Sequence, residues 1–328
     1  MTEQTKTKRS VFDFGAAISQ LFTQNGGYNF AARLVLWTAA LMGLAFALLA
    51  KPYMNFMSTI ITAQWASNTN SDPEAILSAY GGMGKLILPM LLATLLMWMI
   101  YASAETALHK KHLRNFDHGF FPLRFGRDEL RVMGTQFLVY VAAIAAFIVM
   151  EIILIALFTG TALASTVHIL FGIIVGLFAL IALLALFVIP VHIAVRLAPS
   201  AAIGVKENRF APFSGWDITK GRTSYLFLAY LFSFIAGYVV ISIIQITAMG
   251  FVLSENYMLV VMGYSEQNPQ EIFASMAEKL KSPGIIFGLV VGAVLYFCFS
   301  ILWWLSICGI GTYAVKWWDG DNLDTNDE

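Results

Sequence analysis

The sequence is poor in charged residues and in cysteine. Asp, Glu, Lys and Arg make up only 12% of the 328 residues, against about 25% in a soluble domain. Hydrophobic residues make up 59%. A soluble protein this apolar could not cover its hydrophobic surface, so an ordinary soluble protein is excluded. The formal net charge is +0, so no overall field attracts nucleic acid. The composition predicts a multi-pass membrane protein.

The two cysteines, Cys298 and Cys308, lie in one apolar stretch. Helix geometry separates them by about 15 Å, whereas a disulfide needs Cα atoms within about 7 Å. We therefore expect two small buried side chains and no bond between them. Residues 1–32 form a polar to amphipathic segment that we expect to be cytoplasmic, with an amphipathic helix and no cleavable signal peptide.

Six stretches are long and apolar enough to cross a hydrocarbon core of about 30 Å. The predicted spans lie at about 34–50, 86–104, 137–158, 169–195, 225–253 and 285–315. They form an all-α membrane domain over 33–318, followed by an acidic tail over 319–328 that we expect to be disordered. With the N-terminus inside, the inner segments hold 16 lysines and arginines and the outer segments hold 4. This asymmetry predicts that both termini are cytoplasmic.

Similar segments recur along the chain and indicate an internal repeat. Amphipathic segments precede the odd spans at 11–22, 124–133 and 209–221, and we expect them to lie in the membrane interface. Segments 70–78 and 267–275 each combine a proline, an acid and apolar residues, which predicts short outer helices. The predicted fold is three hairpins of the same orientation, each preceded by a cytoplasmic interfacial amphipathic helix.

The fourth and sixth spans open with the same pattern of small residues. Gly172 and Gly176 begin the fourth span, and Gly288 and Gly292 begin the sixth. Small residues four apart on a membrane helix let another helix backbone approach closely. These glycines are therefore predicted helix-packing positions.

The loop after the fourth span carries a distinctive motif. Its residues are Arg196, Pro199, Trp216, Thr219 and Gly221. An arginine and a proline end an even span, and a tryptophan-bearing amphipathic helix with a Thr-x-Gly ending leads into the next. The motif resembles a loop in poorly characterised bacterial membrane proteins related to the membrane domain of glycerophosphodiester phosphodiesterases. The resemblance implies a bacterial inner membrane and a six-helix module. It implies no hydrolase activity, because no segment outside the spans is long enough for the phosphodiesterase barrel.

Glu151 is the one acid well inside a predicted span. A charge near the bilayer centre costs at least about 2.5 kcal/mol, so such residues are functional candidates. Glu151 is either a proton or cation site, or a hydrogen-bonded structural residue facing an outer vestibule near His168. Gln245 is the other strongly polar side chain at comparable depth.

The loop after the second span is basic and aromatic. Its cations meet anionic headgroups at about 1 kcal/mol each, although the same charges also serve as topology signals. The lipid-headgroup candidates are Lys110, Lys111, Arg114, Arg124, Arg127 and Arg131. The densest group of possible metal ligands is His109, His112, Asp117 and His118. The cations beside it would repel a divalent ion, so we expect no metal site.

The sequence contains no phosphate loop, GxSxG, HExxH or paired-cysteine motif. We expect no cofactor. The leading hypothesis is a non-catalytic scaffold or accessory subunit that binds membrane lipids or another membrane protein. The alternative is a small transporter or permease-like module for a lipid or apolar solute, with Glu151 along its path. A third hypothesis is an intramembrane lipid-modifying enzyme with a pocket at His192, Arg196 or the histidine group.

Overall fold

All of the regular structure is helical in the residues that the computed structural model describes, which are 12–22, 27–70, 73–116, 119–250 and 282–326. Six helices there are long and apolar enough to cross a membrane. The prediction of an all-helical, multi-pass membrane protein is therefore confirmed. The helices are α1 (Phe14–Ile18), α2 (Gly27–Asn70), α3 (Pro73–Leu113), α4 (Arg127–Val167), α5 (Ile169–Leu197), α6 (Ser200–Lys206), α7 (Gly215–Ile218), α8 (Thr223–Gly250) and α9 (Pro283–Asn326).

Charged and capping residues stabilise several helix ends. Lys110 lies in the last turn of α3, and Asp128 and Glu129 lie in the first turn of α4. Cations at a helix C-terminus and anions at an N-terminus each oppose the partial charge of the helix dipole. His168 caps α5, because its Nδ1 accepts a hydrogen bond from the Leu170 N–H at 3.2 Å. These ends follow from local sequence.

Most of the buried residues in the described part of the chain lie toward one end of the helix bundle, which we call the packed end. One buried cluster there joins Leu34 of α2, Leu108 of α3 and Leu305 of α9. A second cluster joins Val195 of α5 to Leu226 of α8. The packed end therefore holds the beginnings of α2 and α8 and the ends of α3 and α5, together with the C-terminal half of α9.

Toward the opposite end of the bundle, which we call the open end, the described parts of α4 and α9 are loosely packed. Residues 141–160 of α4 and 286–300 of α9 are all described, and none of them is buried. Most of these side chains are large and apolar, including Ile144, Phe147 and Val294. Apolar helix faces gain little by leaving lipid for one another, so the open end presents its helices to the membrane.

Consecutive long helices pack in pairs, α2 with α3, α4 with α5 and α8 with α9. The short α6 packs against α3, α4 and α9 and so joins all three pairs at the packed end. Among the predicted packing glycines, Gly172 is buried, while Gly176, Gly288 and Gly292 are half-buried. A Cβ at Gly176 would lie 3.5 Å from Cγ2 of Thr161, so this glycine lies in the contact between α4 and α5.

Two of the helices continue well beyond the predicted spans. The second span was expected to end at residue 104, but α3 continues to Leu113 because residues 102–109 are all buried by neighbouring helices. The tail 319–328 was expected to be disordered, but α9 continues to Asn326. Asp319 forms an ion pair with Lys206 of α6, which ties this part of α9 to the packed end.

The short amphipathic segments also differ from expectation. Segment 124–133 is no separate helix, because residues 127–133 form the first turns of α4, with the two acids at its N-terminus. Segment 73–78 likewise begins α3, and 267–275 lies outside the described residues. Segment 11–22 forms α1 and a short 3-10 turn packed against α9. Within 209–221 only the four-residue α7 is helical, and α6 before it was not predicted.

Candidate functional site

A polar network lies inside the packed end and is centred on Glu105 of α3. Glu105 is 7% exposed and His109 is 1% exposed. One carboxylate oxygen of Glu105 lies 3.2 Å from His109 Nε2, and the other accepts a hydrogen bond from Nε2 of Gln136 on α4. His109 Nδ1 lies 2.9 Å from the hydroxyl of Thr312 on α9. The network therefore joins one helix from each of the three pairs.

Trp98 sets the orientation of the Gln136 side chain. The indole Nε1 of Trp98 donates a hydrogen bond to Oε1 of Gln136 at 2.6 Å. An amide has one oxygen and one NH₂ group, so occupation of the oxygen by Trp98 directs the NH₂ group toward Glu105. Glu105 is thereby held as a hydrogen-bond acceptor at a defined position.

A cavity of about 210 Å³ adjoins the Glu105 carboxylate. This volume admits several waters or one small chemical group, and is below the roughly 300–1,000 Å³ of pockets that hold drug-sized ligands. The polar and aromatic residues that line it are Glu105, Thr135, Gln136, Tyr140, Tyr230, Trp304 and Cys308. Cys308 lines the same cavity as Glu105. The cavity thus combines a carboxylate with aromatic walls.

The cavity lies in a cleft between two helix pairs. In the described part of the chain, α4 packs mainly against α3, α5 and α6, whereas α8 packs mainly against α9, α5 and α1. Tyr140 of α4 and Tyr230 of α8 line the cavity from its two sides. Tyr140 is 60% exposed, so the cavity wall on this side reaches the surface of the bundle. The cleft therefore opens at the outer surface of the bundle.

The cavity also lies where the predicted spans end. Glu105 directly follows the last residue of the predicted second span, and Gln136 directly precedes the first residue of the third. In the structure both helices continue past these predicted boundaries, and the membrane-length helices Leu88–Leu113 and Arg127–Leu163 include Glu105 and Gln136.

The three predicted intramembrane candidates do not belong to this network. Glu151 is exposed on α4, within the stretch that has no buried residue. Gln245 is exposed near the end of α8. His168 caps α5 at the open end. No contact among the described residues brings these three side chains together.

Three of the six predicted headgroup cations are paired with acids of α4. Asp128 lies 3.0 Å from Arg114, 2.8 Å from Arg131 and 3.1 Å from Lys110. Lys110 also lies 2.8 Å from Glu129. These ion pairs bring the end of α3 and the beginning of α4 together, and they offset much of the positive charge predicted for the loop.

The other three cations lack an acidic partner in the described part of the chain. The Lys111 ammonium lies 6.0 Å from the ring centroid of Phe30, and the Arg124 guanidinium lies 5.8 Å from that of Phe116. Arg127 is exposed at the first residue of α4. These three remain the positions best suited to an anionic headgroup.

The predicted histidine group is only partly described. His109 belongs to the Glu105 network, and His112 Nδ1 lies 3.2 Å from Nε2 of Gln20. Asp117 and His118 lie outside the described residues. Both described histidines are buried in the packed end, where they connect α3 to its neighbours.

The loop motif forms one compact set of contacts. The Arg196 guanidinium stacks 3.8 Å from the centroid of the Trp216 ring. Its Nη2 also donates to the Trp216 carbonyl at 2.7 Å, and its Nε lies 3.4 Å from the Thr219 hydroxyl. Thr219 in turn donates to the carbonyl of Gly215 at 2.8 Å. The motif therefore ties the end of α5 to α7.

Two further residues of the motif set the backbone conformation next to α6 and α8, and His192 packs beside the loop. Pro199 directly precedes α6, and Gly221 has φ +75°, a left-handed conformation that favours glycine, just before α8. The His192 ring stands edge-on to Trp216 at 6.3 Å. His192 and Arg196 thus pack on Trp216, and neither lines the cavity described above.

Sequence reasoning misses the centre of the site. The predicted spans stop one residue short of Glu105 and begin one residue after Gln136, so both residues were assigned to the loops. One sequence feature could have indicated the site, namely the spacing of Glu105 and His109. Because α3 extends to Leu113, these two residues lie four apart on the same face of the helix. Nothing in the sequence pattern indicates that Gln136, Tyr140 and Tyr230 meet this face.

Comparisons of the chain with known protein families, with curated proteins and with solved structures find no match. The resemblance of the loop motif to the membrane domain of glycerophosphodiester phosphodiesterases therefore stays a prediction. The function has to be argued from the geometry of the site.

Proposed function

We propose that this protein is a non-catalytic scaffold or accessory protein of the bacterial inner membrane that binds a membrane lipid. The observation that carries the proposal is the polar cavity beside Glu105, in a cleft between α4 and α8 near the boundaries of two predicted spans. A headgroup enters the cavity from the cleft, and the acyl chains follow the apolar faces of α4 and α8 toward the open end.

The loose packing of the open end supports the same proposal. Long stretches of α4 and α9 expose large apolar side chains on more than one face. In a membrane these faces contact acyl chains without a loss of free energy. A rigid carrier of a solute would instead enclose the path of the solute between its helices. The dense core at the packed end holds the cavity walls in place, so the polar part of the site is rigid and the apolar part is adaptable.

We also infer the orientation of the protein in the membrane and the repetition of one helix hairpin three times along the chain. The beginnings of α2, α4 and α8 and the ends of α3, α5 and α9 meet at the packed end, as expected for three hairpins of the same orientation. Of the predicted interfacial helices, α1 packs against α8 and α9 of the third hairpin, and α7 packs against α5 and α9. The excess of lysine and arginine at this end favours the cytoplasmic side.

A reporter fused after Glu328 tests the orientation. We expect green fluorescent protein to fluoresce at this position and alkaline phosphatase to be inactive, because the C-terminus is cytoplasmic. A reporter placed in the segment between α8 and α9 should behave in the opposite way. An active phosphatase at the C-terminus would overturn the topology and place the cavity in the outer leaflet.

Native mass spectrometry of the gently extracted protein tests lipid binding. We expect about one phospholipid to remain bound to each chain. Ala198→Phe fills the cavity, since Ala198 lines it, and should release this lipid. Ala143→Phe makes the same change at an exposed position of α4 and should retain it. Recovery of a bare chain, or of a stoichiometric protein partner without lipid, would contradict the proposal.

The second candidate function is transport of a lipid or an apolar solute. The buried carboxylate of Glu105 beside the cavity favours this function. Glu151 is exposed on α4 and does not line the cavity. Flux in proteoliposomes separates the two functions. Transport that is lost in Glu105→Gln and kept in Glu151→Gln would replace static binding with transport at the same site.

A further inference from the structure

The cavity has the chemistry of a site for an organic cation. Its single ionisable acid is Glu105, and no lysine or arginine is among its lining residues. Tyr140, Tyr230 and Trp304 supply aromatic rings, whose faces attract ammonium groups. A carboxylate beside aromatic walls selects for a positive group and repels a phosphate or a carboxylate.

Glu105 has acceptor capacity to spare for such a ligand. A carboxylate offers about four lone-pair positions. Its hydrogen-bond partners in the protein are the His109 ring and the Gln136 amide. Because these occupy two positions, others remain for a donor in the cavity. Lys110 and Arg114, which follow Glu105 along the chain, are engaged by acids of α4.

We propose that the Glu105 cavity binds the ammonium group of a zwitterionic phospholipid headgroup, an inference that rests on the proposed lipid-binding function. The ammonium group donates to the Glu105 carboxylate and lies against the rings of Tyr140 and Tyr230. The attached phosphate stays outside the cavity, toward the cleft. A volume of about 210 Å³ is enough for an alkylammonium group.

The test is a native mass spectrometry titration with phosphatidylethanolamine and phosphatidylglycerol of identical acyl chains. We expect the wild-type chain to bind phosphatidylethanolamine at least about tenfold more tightly, the effect of a hydrogen bond to a charged group. Glu105→Gln keeps the shape of the side chain and removes its charge, and should abolish this preference. Glu151→Gln is the matched control, a carboxylate removed from the outer face of α4, and should keep the preference.

A second variant allows the inference to be tested even if Glu105→Gln does not fold. Tyr140 is mostly exposed, so Tyr140→Leu removes an aromatic wall at little cost to packing. We expect it to weaken phosphatidylethanolamine binding about threefold or more and to leave phosphatidylglycerol binding unchanged. Soluble ethanolamine is the third arm. Displacement of the lipid by ethanolamine supports recognition of the ammonium group, and binding of ethanolamine without any phosphatidylethanolamine binding assigns the site to a free amine.

The outcomes separate this inference from the function on which it rests. Equal binding of the two lipids by the wild-type chain, or a preference that survives in both Glu105→Gln and Tyr140→Leu, would overturn ammonium recognition while lipid binding stands. Failure to retain either lipid would overturn the proposed function itself.

Discussion

Replacing Gly237 with alanine is expected to loosen the contact between α8 and α9. A Cβ at this position would overlap the Trp303 indole, whose Nε1 donates to the Ser233 carbonyl at 2.8 Å. Overpacking costs about 1–3 kcal/mol, and loss of the indole hydrogen bond adds about 1 kcal/mol. The better helix propensity of alanine returns about 1 kcal/mol. We expect the free energy of unfolding to fall by about 1–3 kcal/mol.

Thermal unfolding in detergent, followed by size-exclusion chromatography, measures this effect. Gly43→Ala is the matched control, because Gly43 lies in α2 with no atom within 4 Å of an added Cβ, and it should be neutral or slightly stabilising. In a Trp303→Leu background the cost of Gly237→Ala should largely disappear, since the smaller side chain makes room. An equal loss of stability in both backgrounds would refute the assigned clash.

Replacing Arg196 with methionine is expected to detach α7 from the end of α5. The stack on Trp216 is worth about 1–2 kcal/mol, and the charged hydrogen bond to the Trp216 carbonyl about 1.5–3 kcal/mol. Since the site is only partly buried, we expect a total loss of about 2–4 kcal/mol. Arg196→Lys should recover little, because an ammonium group cannot stack and donate in the same fixed geometry.

Arg127→Met is the matched control, because it removes an exposed arginine that has no acidic partner among the described residues. It should change the melting temperature little. Trp216 fluorescence gives a local readout, since the indole should become more accessible to a soluble quencher in Arg196→Met and not in Arg127→Met. Unchanged quenching in Arg196→Met would show that the stack does not hold α7.

The number of membrane-spanning helices could be predicted from hydropathy, but two helix ends could not. Residues 105–113 are too polar for a window average to count them in a span, yet α3 continues through them because α2, α4, α6 and α9 surround it. Likewise Asp319 looks like part of a solvated tail, but its partner Lys206 is 113 residues away in the chain. Local composition carries no information about such partners.

The candidate site likewise combines features that the sequence pattern indicates with features that it does not. Glu151 stands out in the sequence because apolar residues flank it, whereas Glu105 is followed by His109 and two lysines and resembles the beginning of a loop. The loop motif was recognisable as a unit, and the structure brings Arg196, Trp216 and Thr219 into contact. Their contacts are structural, and the cavity is built instead from residues that no motif connects.

The sequence by itself determined that this chain has six helices long and apolar enough to cross a membrane, because hydropathy is set by local composition and the required length by the thickness of a bilayer. It also located the loop in which Arg196 stacks on Trp216. Only the tertiary structure decided which acid is enclosed. The carboxylates of Glu105 and Glu151 are chemically alike, and their surroundings differ because neighbouring helices bury Glu105 at the packed end and leave Glu151 exposed on α4.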